Sequence, residues 1–218
     1  MSTNAPPPIF KDILNTLEAD IIFGRLRPHQ ELIEDSLMER FNAKRHIVRA
    51  VIQELVSRHI VVKPRSRSAR VKDFTMQEVN ELYEMRALLQ REAIHIMPLP
   101  ATACALDELK QIHAKYEEAI HGHSDPWVIH TLNDQFHLCL FSLCNNNTLC
   151  KAITFYTEAT NPIRSYGITD PAWLSQALDE HASMIAAIES QDRATLATLV
   201  VSHIQPTKMR WEALRRHN

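Results

Sequence analysis

Glycine is scarce in this 218-residue chain, which has only three, and an all-β fold would need many more for its turns. With 45% apolar and 23% charged residues, the composition favours a mainly α protein. Paired cysteine signatures are missing too. Cys104, Cys139, Cys144 and Cys150 form neither a CxxC pair nor a secreted disulfide framework, so they read as reduced thiols in a cytoplasmic protein. No apolar run approaches the ~20 residues of a membrane span, and MSTNAPPPIF lacks the basic and apolar regions of a secretory signal. That start reads instead as a flexible Pro-rich leader over about residues 1–8. There is no Gly-rich phosphate loop, GxSxG elbow or internal repeat.

What is present is an uneven charge. Residues 1–74 hold 13 Lys/Arg against 9 Asp/Glu, and residues 75–218 hold 11 against 17. Between Lys44 and Lys72 nine basic residues face one acid, Glu54. A basic module on an acidic body predicts a polyanionic partner for the module alone.

Within that module Ile9, Ile13, Leu17 and Ile21 repeat at helical spacing, and Gly24 is placed to end the helix. RLRPHQEL reads as a loop. Leu37 and Phe41 mark a short second helix that Asn42 terminates. A third helix carries Ile47, Val48, Val51, Ile52 and Leu55 on its core side. Ile60–Val62 and Ala69–Val71 flank a basic KPRSRS turn and read as a hairpin. Three helices and a two-stranded wing spell a winged helix-turn-helix.

The third helix opens on Lys44, Arg45, His46 and Arg49. A helix N-terminus already carries partial positive charge and favours acids, so a negative group outside the chain is the expected reason for this basic turn. Arg45 and Arg49 lie four residues apart on one face, and each can donate two parallel hydrogen bonds to guanine O6 and N7 in a major groove. Arg65 and Arg67 at the wing tip are placed for phosphate or the adjacent minor groove. The alternative for any single charge run is a solvated face with scattered ion pairs; the coincidence of basic helix, tight turn and basic wing favours DNA.

Six further helices are predicted, roughly over 75–97, 103–121, 126–144, 147–166, 171–190 and 192–214. Thr75 with Glu78 makes a capping box, and Asp125-Pro126 and Asp170-Pro171 each place an N-cap acid before a first-turn proline. Asn133 and His137 fall one turn apart on the edge of the Ile129, Leu132, Phe136, Leu140 and Leu143 stripe. His181 and His203 also sit on inward faces. Three imidazoles and an amide on three helices can converge on a divalent cation such as zinc or nickel, or each histidine can be a hydrogen-bonded core residue. Asp134 is the rival first ligand, with His130 beside it, although its direction argues for an exposed salt-bridging acid. Cys144, two turns beyond His137, reads as a small buried thiol. Arg86 either clamps the carboxylate of a small organic acid or pairs within its own helix. His121 and His123 read as a solvated loop.

Gly24-Arg25-Leu26-Arg27-Pro28, Glu31-Leu32, Leu37, Phe41, Arg45 and Val48-Arg49 together resemble the winged-helix domain of GntR-type bacterial regulators. The family pattern has a glycine where His29 stands, and Ser, Thr and Pro where Lys44, His46 and Ile47 stand. Arg45 and Arg49 keep the positions that the resemblance implies for base reading. From about residue 75 the chain is similar to the all-helical FCD effector domain of the FadR subfamily. Its motifs match as Asn133-Asp134-Gln135-Phe136-His137, Glu180-His181 and Ser202-His203. Many members carry Asp in place of Asn133, whose amide oxygen adds no negative charge.

The resemblance implies a ligand-responsive transcriptional regulator, a repressor by default and not an enzyme. Residues 1–74 would bind double-stranded, palindromic DNA. Residues 75–218 would dimerise and take a small organic acid at a metal held by Asn133, His137, His181 and His203. A metal-dependent hydrolase would use the same imidazoles with an open coordination position. A DNA-binding protein with a purely dimerising helical domain would use them as core residues.

Overall fold

The computed structural model describes residues 8–168 and 170–216; most of the expected leader lies outside the described residues. By packing, the chain divides into two units. One holds Met1–Thr75 with Glu158–Pro162, and the other Met76–Thr157 with Ile163–Asn218.

In the first unit, α1 (Pro8–Ile22), α2 (Glu34–Phe41) and α3 (Arg45–Ser57) surround one core. Leu17, Val48, Val51, Leu55 and Ile60 in that core are almost fully excluded from solvent. Gly24 lies just past α1 with φ 72°, and Asn42 caps α2 with φ 45°, the left-handed geometry that those residues tolerate best. The sheet has three strands rather than the expected two. Glu31–Leu32 (β1), inside the segment read as a loop, pairs antiparallel with Ala69–Val71 (β3), whose other edge pairs with Val61–Val62 (β2). Two residues carry no detectable period, which is why β1 left no trace in the pattern.

His29, at the family's glycine position, has φ 67°. Glycine suits that backbone without strain, whereas here an L-residue adopts it and its imidazole approaches Asp73, Nε2 to Oδ2 3.1 Å.

The second unit is helical: α4 (Met76–Ile96), α5 (Ala103–His121), α6 (Pro126–Ser142), α7 (Asn147–Ala159), α8 (Asn161–Ile168), α9 (Pro171–Glu189), α10 (Arg193–His203) and α11 (Gln205–Arg216), except that the last residues of α7 and the first of α8 fall in the first unit. Asp125 and Asp170 accept from Trp127 and Ala172 backbone N–H groups, with Pro126 and Pro171 in the first turns. Two predicted helices are each broken in two. Pro162 and Pro206 sit second in α8 and α11, where a missing N–H costs nothing, whereas inside the preceding helix each would remove a hydrogen bond and clash. The core of this unit runs through Leu109, Phe136, Leu140, Met184 and Leu196. Cys144 is a buried thiol there, 3.8 Å from the Cys150 sulfur, and all four cysteines are free.

Candidate DNA-reading surface and metal centre

Burying Val48, Val51, Ile52 and Leu55 turns the opposite face of α3 outward, so Lys44, Arg45, His46 and Arg49 are exposed together. Arg65 and Arg67 are exposed in the turn between β2 and β3. The guanidinium groups are not bare, however. Arg45 Nη2 lies 2.5 Å from Asp35 Oδ1 and its Nη1 3.5 Å from Glu34 Oε2. Arg49 Nε donates to Glu34 Oε2 at 2.7 Å, and Lys63 Nζ lies 3.6 Å from Glu34 Oε1. The Arg49 hydrogen bond, with help from the Arg49 and Lys63 charges, holds the Glu34 carboxyl below its ordinary value. This corrects the expectation that the counter-charge for the basic turn lies only outside the chain: part of it comes from the first turn of α2. Glu34, Asp35 and Lys63 escaped sequence reasoning because their meeting with α3 depends on the turn angle, which residue spacing does not encode.

In the helical unit the structure brings His137 (α6), His181 (α9) and His203 (α10) together. His137 Nε2 is 3.1 Å from His203 Nε2 and 3.3 Å from His181 Nε2, and all three ligand atoms fall within 4.8 Å of one another. Tetrahedral coordination at 2.0–2.1 Å places neighbouring nitrogens roughly 3.3 Å apart, which is the spacing of the two pairs that His137 makes. Burial, reinforced by the other imidazoles and nearby cations, drives the His137 and His181 pKa values well below the ordinary one. Both rings are therefore neutral, the form that donates a lone pair. His203 Nδ1 meets Glu180 Oε2 at 2.5 Å, and Gln176 Nε2 holds the other carboxylate oxygen at 2.8 Å. A proton on Nδ1 shared with Glu180 leaves the His203 Nε2 lone pair facing the cluster. Burial alone would raise the Glu180 carboxyl, but the bond and charge of His203 outweigh it and the pKa falls. Phe136 stacks on His181 at 3.9 Å between centroids and fixes that ring's plane.

Asn133 stands one turn before His137, is 4% exposed, and its Oδ1 is buried without a hydrogen-bond partner. Leaving such an oxygen unpaired costs about 1–3 kcal/mol, which a cation would recover. Together with Arg86, His137, Arg164, Trp173 and His203, it lines a cavity of about 20 Å³, enough for a single water or ion. Asp134 is not the exposed acid expected from its direction. It is partly buried, bonded at 2.5 Å to Arg164 Nη2 and 3.4 Å from His130 Nε2, and it stands outside the imidazole group. Burial raises its carboxyl, but Arg164 and His130 more than offset this and hold it low.

Arg86 has no intra-helix ion pair among the described residues. It is buried, its Nε and Nη1 have no partner, and its guanidinium lies 5.0 Å from the Tyr83 ring centre. Burial brings its pKa down to about 10, which still leaves it charged at neutral pH. Arg164, Trp173 and Thr207 also wall this cavity and were not identified from the sequence. Thr207 follows Pro206, the start of a helix that continuous periodicity had hidden, whereas no spacing marks Arg164 or Trp173 as facing the histidines. His121 and His123 are exposed, away from the site.

An exposed, arginine-bearing recognition helix beside a small wing, in a chain that also buries an imidazole cluster in a helical unit, defines a helix-turn-helix transcriptional regulator. Residues 10–71 match the family model described as bacterial regulatory proteins, gntR family, and residues 81–206 match the FCD domain. The chain belongs to the gntR family, in the form that carries an FCD domain. It is 21% identical over 198 residues to the uncharacterized HTH-type transcriptional regulator YdhC of Bacillus subtilis, covering 91% of this chain and 88% of that one. It is 23% identical over 181 residues to the HTH-type transcriptional regulator McbR of Escherichia coli, covering 82% and 81%. The solved E. coli McbR/YncC structure superposes with a TM-score of 0.78 at 21% identity, over 96% of this chain and 99% of that one. Among the described residues no helix is long and apolar enough to cross a membrane.

Proposed function

We propose that residues 75–218 bind a small organic acid at a divalent metal, zinc or nickel, and that this controls how residues 1–74 of a homodimer hold a palindromic operator. The reading also places the chain in the FadR subfamily. One observation carries it: three imidazoles gather with their ligand nitrogens within 4.8 Å of one another beside the orphan Asn133 oxygen, and His137, His203 and Asn133 share a cavity with Arg86, whose Nε and Nη1 have no partner.

His137, His181 and His203 supply three nitrogens, and Asn133 supplies an amide oxygen in place of a carboxylate. A bound divalent metal supplies a Lewis-acidic centre for a carboxylate oxygen. Arg86, which lines the same cavity, would orient the acid through its N–H donors once the cavity opens beyond the single water or ion it admits here. Glu180 is engaged on the outer nitrogen of His203, so it positions an imidazole and does not sit where a hydrolytic base would act. The effector shifts the protein between arrangements only by its difference in affinity for them. In a dimer those arrangements differ in the separation of two recognition helices, which must match half-sites about one DNA turn apart. Lys44, Arg45, His46 and Arg49 read the major groove, while Arg65 and Arg67 hold the backbone or minor groove.

The test combines metal analysis of the purified protein with a thermal-shift screen of small carboxylates. His181→Ala should lose the metal and the carboxylate response while keeping DNA binding. Full metal retention in that variant would show that the centre lies elsewhere, and histidines that hold no metal would favour the purely dimerising domain.

A further inference from the structure

The two exposed arginines of α3 are held differently. The guanidinium group is planar and offers a pair of parallel donors along its Nη1/Nη2 edge or its Nε/Nη2 edge. In Arg49 the Glu34 carboxylate takes Nε, at 2.7 Å, which leaves the terminal Nη1/Nη2 edge for a base. In Arg45 both terminal nitrogens are engaged, Nη2 by Asp35 and Nη1 by Glu34. Both acids sit in the first turn of α2, where the positive end of that helix favours negative charge. Glu34 is the hub, with Lys63 of the wing on its second oxygen at 3.6 Å. It is only 21% exposed, whereas Asp35 is 74% exposed.

We infer that Glu34 is a positioning residue that presets Arg49 for base reading, and that Asp35 is a latch on Arg45 that only a well-matched duplex displaces. The inference rests on the reading of α3 as the base-contacting helix. A free surface arginine loses rotamer freedom when it docks, and a carboxylate that already fixes Nε removes part of that loss at the productive contact. The same two acids oppose the unproductive mode. In a non-specific complex the arginines would turn to phosphates, and Glu34 and Asp35, 2.5–3.5 Å from them, both compete for the guanidinium groups and repel the phosphate. The acid pair therefore raises base specificity at the expense of general DNA affinity. A family regulator that must find one site among many random ones needs this division.

The full-length protein would be used to select a preferred duplex from a random-sequence library. Affinities would then be measured on that duplex and on random duplex for the native chain, Glu34→Gln, Glu34→Asp, Asp35→Asn and Arg49→Ala. Glu34→Gln should bind the selected duplex more weakly and random duplex more tightly, lowering the ratio roughly ten-fold or more, within the range a bidentate guanine contact supplies. Glu34→Asp should restore part of the ratio. Asp35→Asn should tighten random-duplex binding, with a salt slope steeper by about one per freed cation.

A Glu34→Gln ratio within two-fold of native, alongside a large loss in Arg49→Ala, would overturn the positioning role while leaving the α3 reading intact. An Arg49→Ala variant that binds the selected duplex as well as the native chain would overturn the α3 reading itself. Should Glu34→Gln fail to fold, the Asp35→Asn arm decides the latch and the Glu34→Asp arm the positioning.

Discussion

To two of the residues that depart from the family pattern the structure gives a physical meaning. His29 occupies a left-handed backbone that costs an L-residue about 1–2 kcal/mol. His29→Gly removes this strain but also the Asp73 contact and adds freedom to the unfolded chain, so a net gain of about 0.5–1 kcal/mol is expected. Urea unfolding of the variant should show a raised midpoint with an unchanged slope. Asn133 is the other departure. Asn133→Asp puts a negative charge beside the imidazoles, which should tighten metal binding while making the metal-free protein less stable, because an unpaired carboxylate would then be buried. A wider gap between the metal-free and metal-loaded melting temperatures than in the native chain checks both signs. At this scale the sequence was informative about the histidines, whose faces follow from helical period. It was misleading about Asp134, since its direction on α6 is correct but nothing in the spacing announces that Arg164 arrives from another helix to pair with it.

Helices follow the predicted order, and their starts were readable where a side chain caps them. Asp192 accepts from the Thr195 backbone N–H at 3.0 Å and from its hydroxyl at 2.7 Å, opening the helix that ends at His203. Asp192→Ala should cost the helical unit about 1 kcal/mol, lowering its melting temperature by a few degrees, yet leave metal stoichiometry unchanged because the ligand sits at the far end. Equilibrium melting with metal analysis would check both. Helix ends were less readable. The breaks at Thr160 and Ile204 arise because Pro162 and Pro206 begin new helices, whereas the uninterrupted apolar period around each had suggested one long rod. The far end of α4 is closed by Arg193, whose guanidinium donates to the Ile94 and His95 carbonyls, a tertiary cap that no local motif foretells.

The whole molecule divides its labour along the charge asymmetry visible in its composition. The two units have separate cores, so a metal that binds one should stabilise that one. Removing metal with a chelator should lower the melting temperature of the helical unit by several degrees and leave the winged-helix transition in place. Returning zinc or nickel at a hundredfold excess over its dissociation constant should recover roughly 2.7 kcal/mol. Differential scanning calorimetry with and without chelator resolves the two transitions; equal losses in both would contradict a site confined to the imidazoles.

His203 is the last residue of α10, and after Ile204 the chain starts α11, whose Thr207 hydroxyl lies 3.2 Å from the Tyr83 hydroxyl of α4. A candidate ligand thus adjoins a joint rather than the middle of a rod. At 1.5 Å per residue the twelve-residue α11 is about 18 Å long. A tilt of about 5° at that joint would carry its far end by roughly 1.5 Å, so a pull on one imidazole would be magnified at the other end of a lever.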